Sequence, residues 1–169
     1  MSSSMIIVSD AGPLIALAKT KKLDILKRLF KKVKIPPSVF HELRITSSRP
    51  GAIEFKEAIE ITKWIEVSDP VHIPHILLDA IEPGEAEAIA LAKKEGLVLL
   101  IDERRGRKIA QKEKVKITGT GAILAAAKKK GIIKKVDPAL NELLECGYRI
   151  SKRLRKKIMA LAEEEDAIF

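Results

Sequence analysis

The feature that most constrains the fold of this chain is the alternation of short apolar segments with segments of helical spacing. Runs of β-branched and other apolar residues recur at residues 6–8, 33–35, 64–67, 97–101 and 115–117. Stretches in which apolar residues recur at helical spacing separate these runs. The alternation predicts an α/β fold with a central, mostly parallel β-sheet covered by helices on both faces.

The helices are marked by apolar stripes and by residues that begin or end helices. At 169 residues, the chain is long enough for one hydrophobic core and too short for two comfortable domains. Residues 68–80 show no pattern that assigns a structure to them. The predicted helices cover residues 14–19, 23–30, 36–43, 52–61, 85–94, 104–112 and 121–130, with two more after Pro138.

Two of the predicted strands run into an aspartate. Asp10 follows the first strand, and Asp102 follows the strand at 97–101. Because the carboxyl ends of parallel strands lie at one edge of a sheet, where ligands bind, we expect the two carboxylates to be near neighbours. Either aspartate alone is explained equally well as a polar strand end or a helix N-cap, whereas the pair together indicates a site.

The helix predicted at 85–94 supplies a third acidic residue. At about 100° per residue, Glu85 points along the centre of the apolar stripe that contains Ile89 and Ala92. Glu87 falls at the edge of that stripe, beside Leu91, and we expect it to face solvent. We therefore rank Glu85 above Glu87 as a site residue.

Glu42, on the helix predicted at 36–43, is either a surface charge or a further site residue, and its position does not decide between them. Carboxylates about 4 Å apart repel by several kcal/mol at intermediate dielectric, so acidic residues gathered at one edge call for a cation. Hard oxygen ligands favour Mg²⁺ or Mn²⁺ over zinc. Such ions orient a phosphodiester and activate water in metal nucleases, which makes a nuclease the leading hypothesis.

Four acidic residues lie in short sequence contexts that belong together: Asp10 in Val-Ser-Asp-Ala-Gly-Pro-Leu-Ile, Glu42 in Pro-Pro-Ser-Val-Phe-His-Glu-Leu, Glu85 in Gly-Glu-Ala-Glu-Ala-Ile-Ala-Leu-Ala, and Asp102 in Leu-Leu-Ile-Asp-Glu. In this order and spacing, over nearly the whole chain, they resemble the PIN-domain family. The glycine-rich acidic helix and the stretch Asp-Glu-Arg-Arg-Gly-Arg resemble a VapC-like subgroup of little characterised function. The resemblance implies a Mg²⁺- or Mn²⁺-dependent endoribonuclease that hydrolyses RNA, often a toxin held by an antitoxin protein. It also implies that the four acidic residues are catalytic and bind the metal.

The chain departs from the pattern of that family in one place. Family members often have a Thr before the last acidic position and a further acid downstream, whereas here Asp102 and Glu103 are adjacent. Whether Asp102 or Glu103 is the metal ligand therefore stays open. Glu87, Glu103, Thr118 and Thr120 are accessory candidates. The two threonine hydroxyls either hold a metal-bound water or cap the helix that follows them.

The chain carries 32 Lys+Arg against 23 Asp+Glu, a net charge of +9 that favours a polyanionic partner such as RNA. A solvated ion-pair surface would give a similar composition. Arg104, Arg107 and Lys108 follow Asp102 and either bind substrate phosphates or form an exposed helix face. The 4% aromatic content argues against an RNA-binding module that stacks bases on aromatic rings.

Two other classes of protein compete with the nuclease. A non-catalytic PIN-like module would use the same fold to bind RNA or a protein partner. A response-regulator-like or nucleotide-binding domain also places aspartates at strand ends. A response regulator needs a phosphoacceptor aspartate on a middle strand and a later lysine at another strand end, and neither is evident here. A nucleotide-binding domain lacks its glycine fingerprint in this sequence.

We expect residues 1–136 to form the PIN-like nuclease domain and residues 137–169 to form a C-terminal helical extension packed on it. The last predicted helix carries a stripe of Leu154, Ile158 and Leu161. This stripe is buried either in the interface of an isologous homodimer or against the core of the same chain.

The expected location is the cytoplasm. The single cysteine, Cys146, excludes an internal disulfide, and we expect it to be buried as a small hydrophobe. The apolar run at 5–8 is too short for a signal peptide, and no stretch approaches the length of a membrane span. We therefore expect a soluble protein that does not associate with membranes.

Overall fold

The computed structural model describes residues 5–45 and 47–163, and within them the chain forms a five-stranded sheet in which all strands are parallel. The strand order is β3-β2-β1-β4-β5. The central β1 pairs with β2 on one side and β4 on the other, so the order of the strands reverses between β1 and β4. The strands are β1 (Ile6–Ser9), β2 (Lys32–Ile35), β3 (Ile65–Val67), β4 (Val98–Leu100) and β5 (Ile117–Thr118).

Both faces of the sheet are covered. Successive residues of a strand point to opposite faces, and Ile7 and Val8 of β1 are both 0% exposed. The same holds for Leu99 and Leu100 of β4. Burial on both faces explains why the sequence at 97–101 is continuously apolar instead of alternating. The predicted α/β fold, with helices on both faces of a parallel sheet, is confirmed.

The helices follow the predicted segments and differ mainly at their ends. Residues 57–61 continue α4 as a π-helical turn, Glu57–Ile61. The segment 68–80, which showed no sequence pattern, contains the short helix α5. The helices are α1 (Ala11–Lys19), α2 (Asp24–Leu29), α3 (Pro37–Leu43), α4 (Ala52–Lys56), α5 (His75–Ala80), α6 (Pro83–Glu95), α7 (Arg104–Lys112), α8 (Thr120–Lys129), α9 (Val136–Glu145) and α10 (Lys152–Leu161).

The C-terminal helices α9 and α10 both pack on α8. Ile158 of α10 is buried against Gly121 of α8, where the absence of a side chain lets the two helices approach closely. Leu154 and Leu161 are 41% and 52% exposed. Only the central residue of the predicted apolar stripe is therefore buried within the chain.

Two smaller observations concern the surface. The prediction that Cys146 is buried is wrong, because this residue follows the last turn of α9 and is exposed. Among the helices of residues 5–45 and 47–163, none is both long enough and apolar enough to cross a membrane.

Candidate active site

Asp10 and Asp102 follow neighbouring strands at the carboxyl edge of the sheet, beside the point where the strand order reverses. The strand register pairs Ser9 of β1 with Leu100 of β4. The backbone N–H of Asp10 donates to the carbonyl oxygen of Leu100 at 3.0 Å. This is the position at which ligands bind to open parallel sheets.

The carboxylate of Asp102 is held by Thr120, the first residue of α8. The backbone N–H of Thr120 donates to Oδ1 at 2.8 Å, and its hydroxyl donates to Oδ2 at 2.5 Å. Burial raises the pKa of Tyr148, and the charge of Asp102 and a hydrogen bond to its carboxylate raise it further, so the Tyr148 hydroxyl remains a proton donor. Asp102 is therefore oriented by groups of the protein before any ligand binds.

Glu85, in the first turn of α6, contributes a carboxyl oxygen without a partner. Its Oε2 atom is buried and makes no hydrogen bond within the described residues. Burial raises the pKa of Glu85 to about 7, and the charges of Asp10 and Glu103, together with a hydrogen bond to the Glu103 carboxyl group, add to the shift. A buried, unsatisfied carboxyl oxygen is costly, which makes it a place where a bound cation would be stabilising.

Asp10 lies among several other carboxylates. Burial is the main cause that raises its pKa to about 6, and the N–H of Ala11 opposes the shift. The charges of Glu42, Asp102 and Glu103 raise this pKa further. Because Asp10 also raises the pKa of Glu85, these groups are coupled electrostatically. We call Asp10, Glu42, Glu85, Asp102 and Glu103 the acidic cluster.

Glu42 reaches the acidic cluster from α3. Its carboxyl group lies against Gly84 in α6, where a Cβ atom would collide with Glu42 Oε1. Glycine at position 84 therefore leaves the space that the carboxyl group occupies. Partial burial raises the pKa of Glu42, and the charge of Glu82 adds to the shift. Glu42 is an exposed residue of α3, and its charge adds to the raised pKa of Asp10, so it fits either of the two roles expected from the sequence.

The chemistry of the acidic cluster fits a hard divalent cation. Its donors are carboxylate oxygens, which Mg²⁺ and Mn²⁺ prefer. Two features of Asp10 and Glu85 agree with this: burial, with neighbouring carboxylates adding to it, raises both of their pKa values, and Oε2 of Glu85 has no hydrogen-bond partner within the described residues. Within the described residues, no three His, Cys, Asp or Glu side chains stand close enough to hold one ion together. Binding an ion would therefore require the carboxylates to draw closer.

A family model of the PIN domain matches residues 6–164 of the chain. The chain belongs to the PIN-domain family. PIN domains are generally nucleases, and they generally use divalent metal ions. The structure is similar to that of a PilT N-terminus domain protein from the hyperthermophilic archaeon Sulfolobus solfataricus P2, with a TM-score of 0.49 and 17% identity over 73% of this chain and 93% of that chain. A comparison with curated proteins gave no match.

The prediction that Glu87 faces solvent in this PIN domain is wrong. Glu87 is 5% exposed, and its Oε1 atom accepts a hydrogen bond from the backbone N–H of Ser38 at 2.8 Å. Ser38 lies in the first turn of α3, so Glu87 satisfies a backbone donor at the start of that helix. Because α3 packs along α6, the buried face of α6 is wider than its apolar stripe. Glu87 is a residue that holds α3 against α6.

The other candidates named from the sequence take different positions. Glu103 is exposed and is the N-cap of α7, where its Oε2 accepts from the N–H of Gly106 at 2.8 Å. Arg107 is half-buried and donates from Nη1 to the carbonyl oxygen of Ile101 at 2.7 Å. Arg104 and Lys108 are exposed on the same helix.

The two threonines differ from each other. Thr118 ends β5, is buried, and uses its carbonyl oxygen to accept from the N–H of Ile101. Thr120 does not act as the N-cap, which is Gly119, and its hydroxyl bonds to Asp102 instead. The hydroxyl of Thr120 is therefore the one that the structure shows hydrogen-bonded to the acidic cluster.

Two residues that interact with the acidic cluster of this PIN domain were not predicted from the sequence. Tyr148 lies between α9 and α10 and reaches Asp102 only through the packing of the C-terminal helices. Its one sequence signal is that it is the single tyrosine of the chain. Glu82 precedes α6 as its N-cap residue and raises the pKa values of both Glu42 and Glu85, although burial contributes more in each case.

Proposed function

We propose that this PIN domain is a Mg²⁺- or Mn²⁺-dependent endoribonuclease. The observation that carries the proposal is the acidic cluster, in which Asp10 and Glu85 have raised pKa values beside further carboxylates at the ligand-binding edge of the sheet. RNA is the proposed substrate because the net charge of +9 and the basic start of α7 favour a polyanion.

The residues of the acidic cluster would have separate tasks. Asp10, Glu42, Glu85 and Asp102 would hold the ion, which supplies a Lewis acid and an activated water when bound. Thr120 and Tyr148 keep Asp102 in one orientation through their hydrogen bonds. Such support of a metal ligand by neighbouring donors is common in metal sites. Arg104 and Lys108 would bind phosphates of the strand.

The biological setting proposed for this activity is a toxin whose RNA cleavage is controlled by an antitoxin protein. That part rests on the resemblance of the four sequence contexts. The rival function is a non-catalytic module that binds RNA or protein with the same fold. The observation in its favour is that no three candidate ligands converge within the described residues.

We expect Glu85→Gln to abolish most metal-dependent cleavage of single-stranded RNA and Glu87→Gln to retain most of it. Both residues lie on α6 and receive the same substitution, but only Glu85 belongs to the acidic cluster, whereas Glu87 bonds the N–H of Ser38. A loss on the order of 100-fold is typical when a group that stabilises the transition state is removed. The measurement is the initial rate of cleavage with Mg²⁺ or Mn²⁺, against a reaction with EDTA.

Circular dichroism of both variants provides the folding control. Equal losses of activity in two folded variants would mean that α6 is required only as a scaffold. Wild-type protein that leaves RNA intact at millimolar Mg²⁺ and Mn²⁺ would favour the non-catalytic module.

A further inference from the structure

A cleft opens beside the acidic cluster, between α7, the start of α8 and α10. Its volume is about 770 Å³. Its lining includes Asp102 and Glu103, which belong to the acidic cluster, and Leu154 and Leu161 of α10. A ligand in the cleft would therefore also reach the residues that hold the proposed ion.

The lining of the cleft is strongly basic. The two acidic residues of the lining, Asp102 and Glu103, both belong to the acidic cluster. The other charged side chains in the lining are cations from α7 and from the segment around α10, namely Arg104, Arg107, Lys108, Arg149 and Lys157. This charge distribution complements a chain of phosphates that ends at a metal-bound phosphodiester.

The cleft also has an apolar surface. Leu154 and Leu161 are 41% and 52% exposed, and the buried Ile158 also belongs to the lining. Tyr148 contributes an aromatic ring to the wall while its hydroxyl engages Asp102. A cationic groove with an aromatic or apolar surface is the arrangement with which proteins hold unpaired nucleotides.

The size of the cleft restricts its occupant. Cavities of a few hundred to about 1,000 Å³ hold molecules of the size of one or two nucleotides. A base-paired duplex presents its bases only at groove edges, so it offers no free base face to an apolar surface. The cleft therefore suits a single strand and not a helix of RNA.

We propose that this cleft binds one or two unpaired nucleotides of an RNA strand next to the phosphodiester at the acidic cluster. The base lies against Tyr148 and the apolar side of α10, and Lys157 and Arg149 bind the phosphates. This assignment rests on the proposed ribonuclease function. It makes the segment 148–161 a substrate-binding element and not only a cover for α8.

The test uses two pairs of variants in the full-length chain. Lys157→Glu changes a residue that lines the cleft, and Lys156→Glu makes the same change of charge at the exposed neighbouring residue, which does not line it. Leu154→Asp and Leu144→Asp form the second pair, since the two leucines are 41% and 40% exposed and only Leu154 lines the cleft. Fluorescence anisotropy with a labelled oligouridylate in EDTA measures binding without cleavage.

Lys157→Glu and Leu154→Asp are each expected to weaken binding about tenfold, while Lys156→Glu and Leu144→Asp stay within about twofold of the wild type. Lys157→Glu is also expected to lower the salt dependence of binding by about one unit of log–log slope. Unlabelled duplex RNA is expected to compete less well than the single strand. If Leu154→Asp fails to fold, the comparison of Lys157→Glu with Lys156→Glu alone tests whether the cleft binds RNA.

Equal effects within both pairs would overturn the assignment, because the strand would then bind elsewhere. A dimeric wild type that becomes monomeric on Leu154→Asp, with no selective loss of RNA binding, would assign the cleft to a second copy of the chain and would also overturn it. Cleavage assays separate this inference from the proposed function. If the wild type cleaves RNA but both members of each pair lose binding equally, the assignment of the cleft is wrong and the proposed nuclease function stands. If only Lys157→Glu and Leu154→Asp lose binding but the wild type does not cleave RNA, the nuclease function is wrong and the cleft still binds the strand.

Discussion

Asp10→Asn is expected to stabilise the metal-free protein at neutral pH and to slow RNA cleavage by about 100-fold or more. Asp10 is 7% exposed, and burial followed by repulsion from neighbouring carboxylates raises its pKa to about 6. Ionising this group in the folded protein therefore costs up to about 3 kcal/mol relative to the unfolded chain. Asn removes that cost together with the negative charge that the ion requires.

Thermal unfolding in EDTA and initial cleavage rates with Mn²⁺ measure the two effects. Asp69→Asn is the matched control, because Asp69 is exposed in the connection after β3 and neither quantity should change. Adding Mn²⁺ should stabilise the wild type and not Asp10→Asn. A variant that is less stable than the wild type in EDTA, yet fully active, would show that Asp10 has a structural role at the end of β1.

The second large effect is on the pH dependence of stability. Without metal ions, the free energy of unfolding is expected to fall as the pH rises from about 4 to about 7. The pKa of Asp10 is about 6 in the folded protein against an ordinary 3.8, and that of Glu85 is about 7 against 4.5. The folded chain therefore binds more protons than the unfolded chain in this range. Their contribution to stability is complete below about pH 4 and is lost as the pH rises through the two folded-state values.

Urea unfolding at several pH values in EDTA and in millimolar Mg²⁺ measures this dependence. Magnesium should reduce the loss, because it favours the ionised carboxylates. Glu66 and Glu103 act in the opposite direction, since hydrogen bonds from the Lys32 side chain and from the N–H of Gly106, respectively, lower their pKa values. The double variant Asp10→Asn, Glu85→Gln isolates the acidic cluster and should have a much flatter profile. Identical profiles for this variant and the wild type would mean that the two carboxyl groups do not titrate as described.

The strands and the approach of Asp10 to Asp102 were predictable because their signals are local. An apolar run that ends in an aspartate marks the end of a buried strand, and parallel pairing brings such ends to one edge of the sheet. The boundary of β5 was harder to predict. Its pairing extends to Thr118 because that residue lies opposite Leu100 in β4, a relation between strands that sequence periodicity does not contain.

The errors at the candidate site come from packing between distant segments. The periodicity of α6 describes an isolated helix, and it could not show that α3 covers the side that carries Glu87. Tyr148 reaches Asp102 only because α9 and α10 pack on α8. When another helix or strand buries a polar side chain, the local sequence pattern does not indicate that burial, so it cannot be predicted from the sequence.

The most direct test of the account is the number of protons released when Mn²⁺ binds. Titration calorimetry in two buffers of different ionisation enthalpy measures it. If the ion binds at the acidic cluster, it must displace the protons that Asp10 and Glu85 retain through their raised pKa values of about 6 and about 7. Binding at about pH 6.5 should then release roughly one proton, and the double variant Asp10→Asn, Glu85→Gln should bind far more weakly. No binding at millimolar Mn²⁺, or binding without proton release that the double variant retains, would contradict a metal site at the acidic cluster.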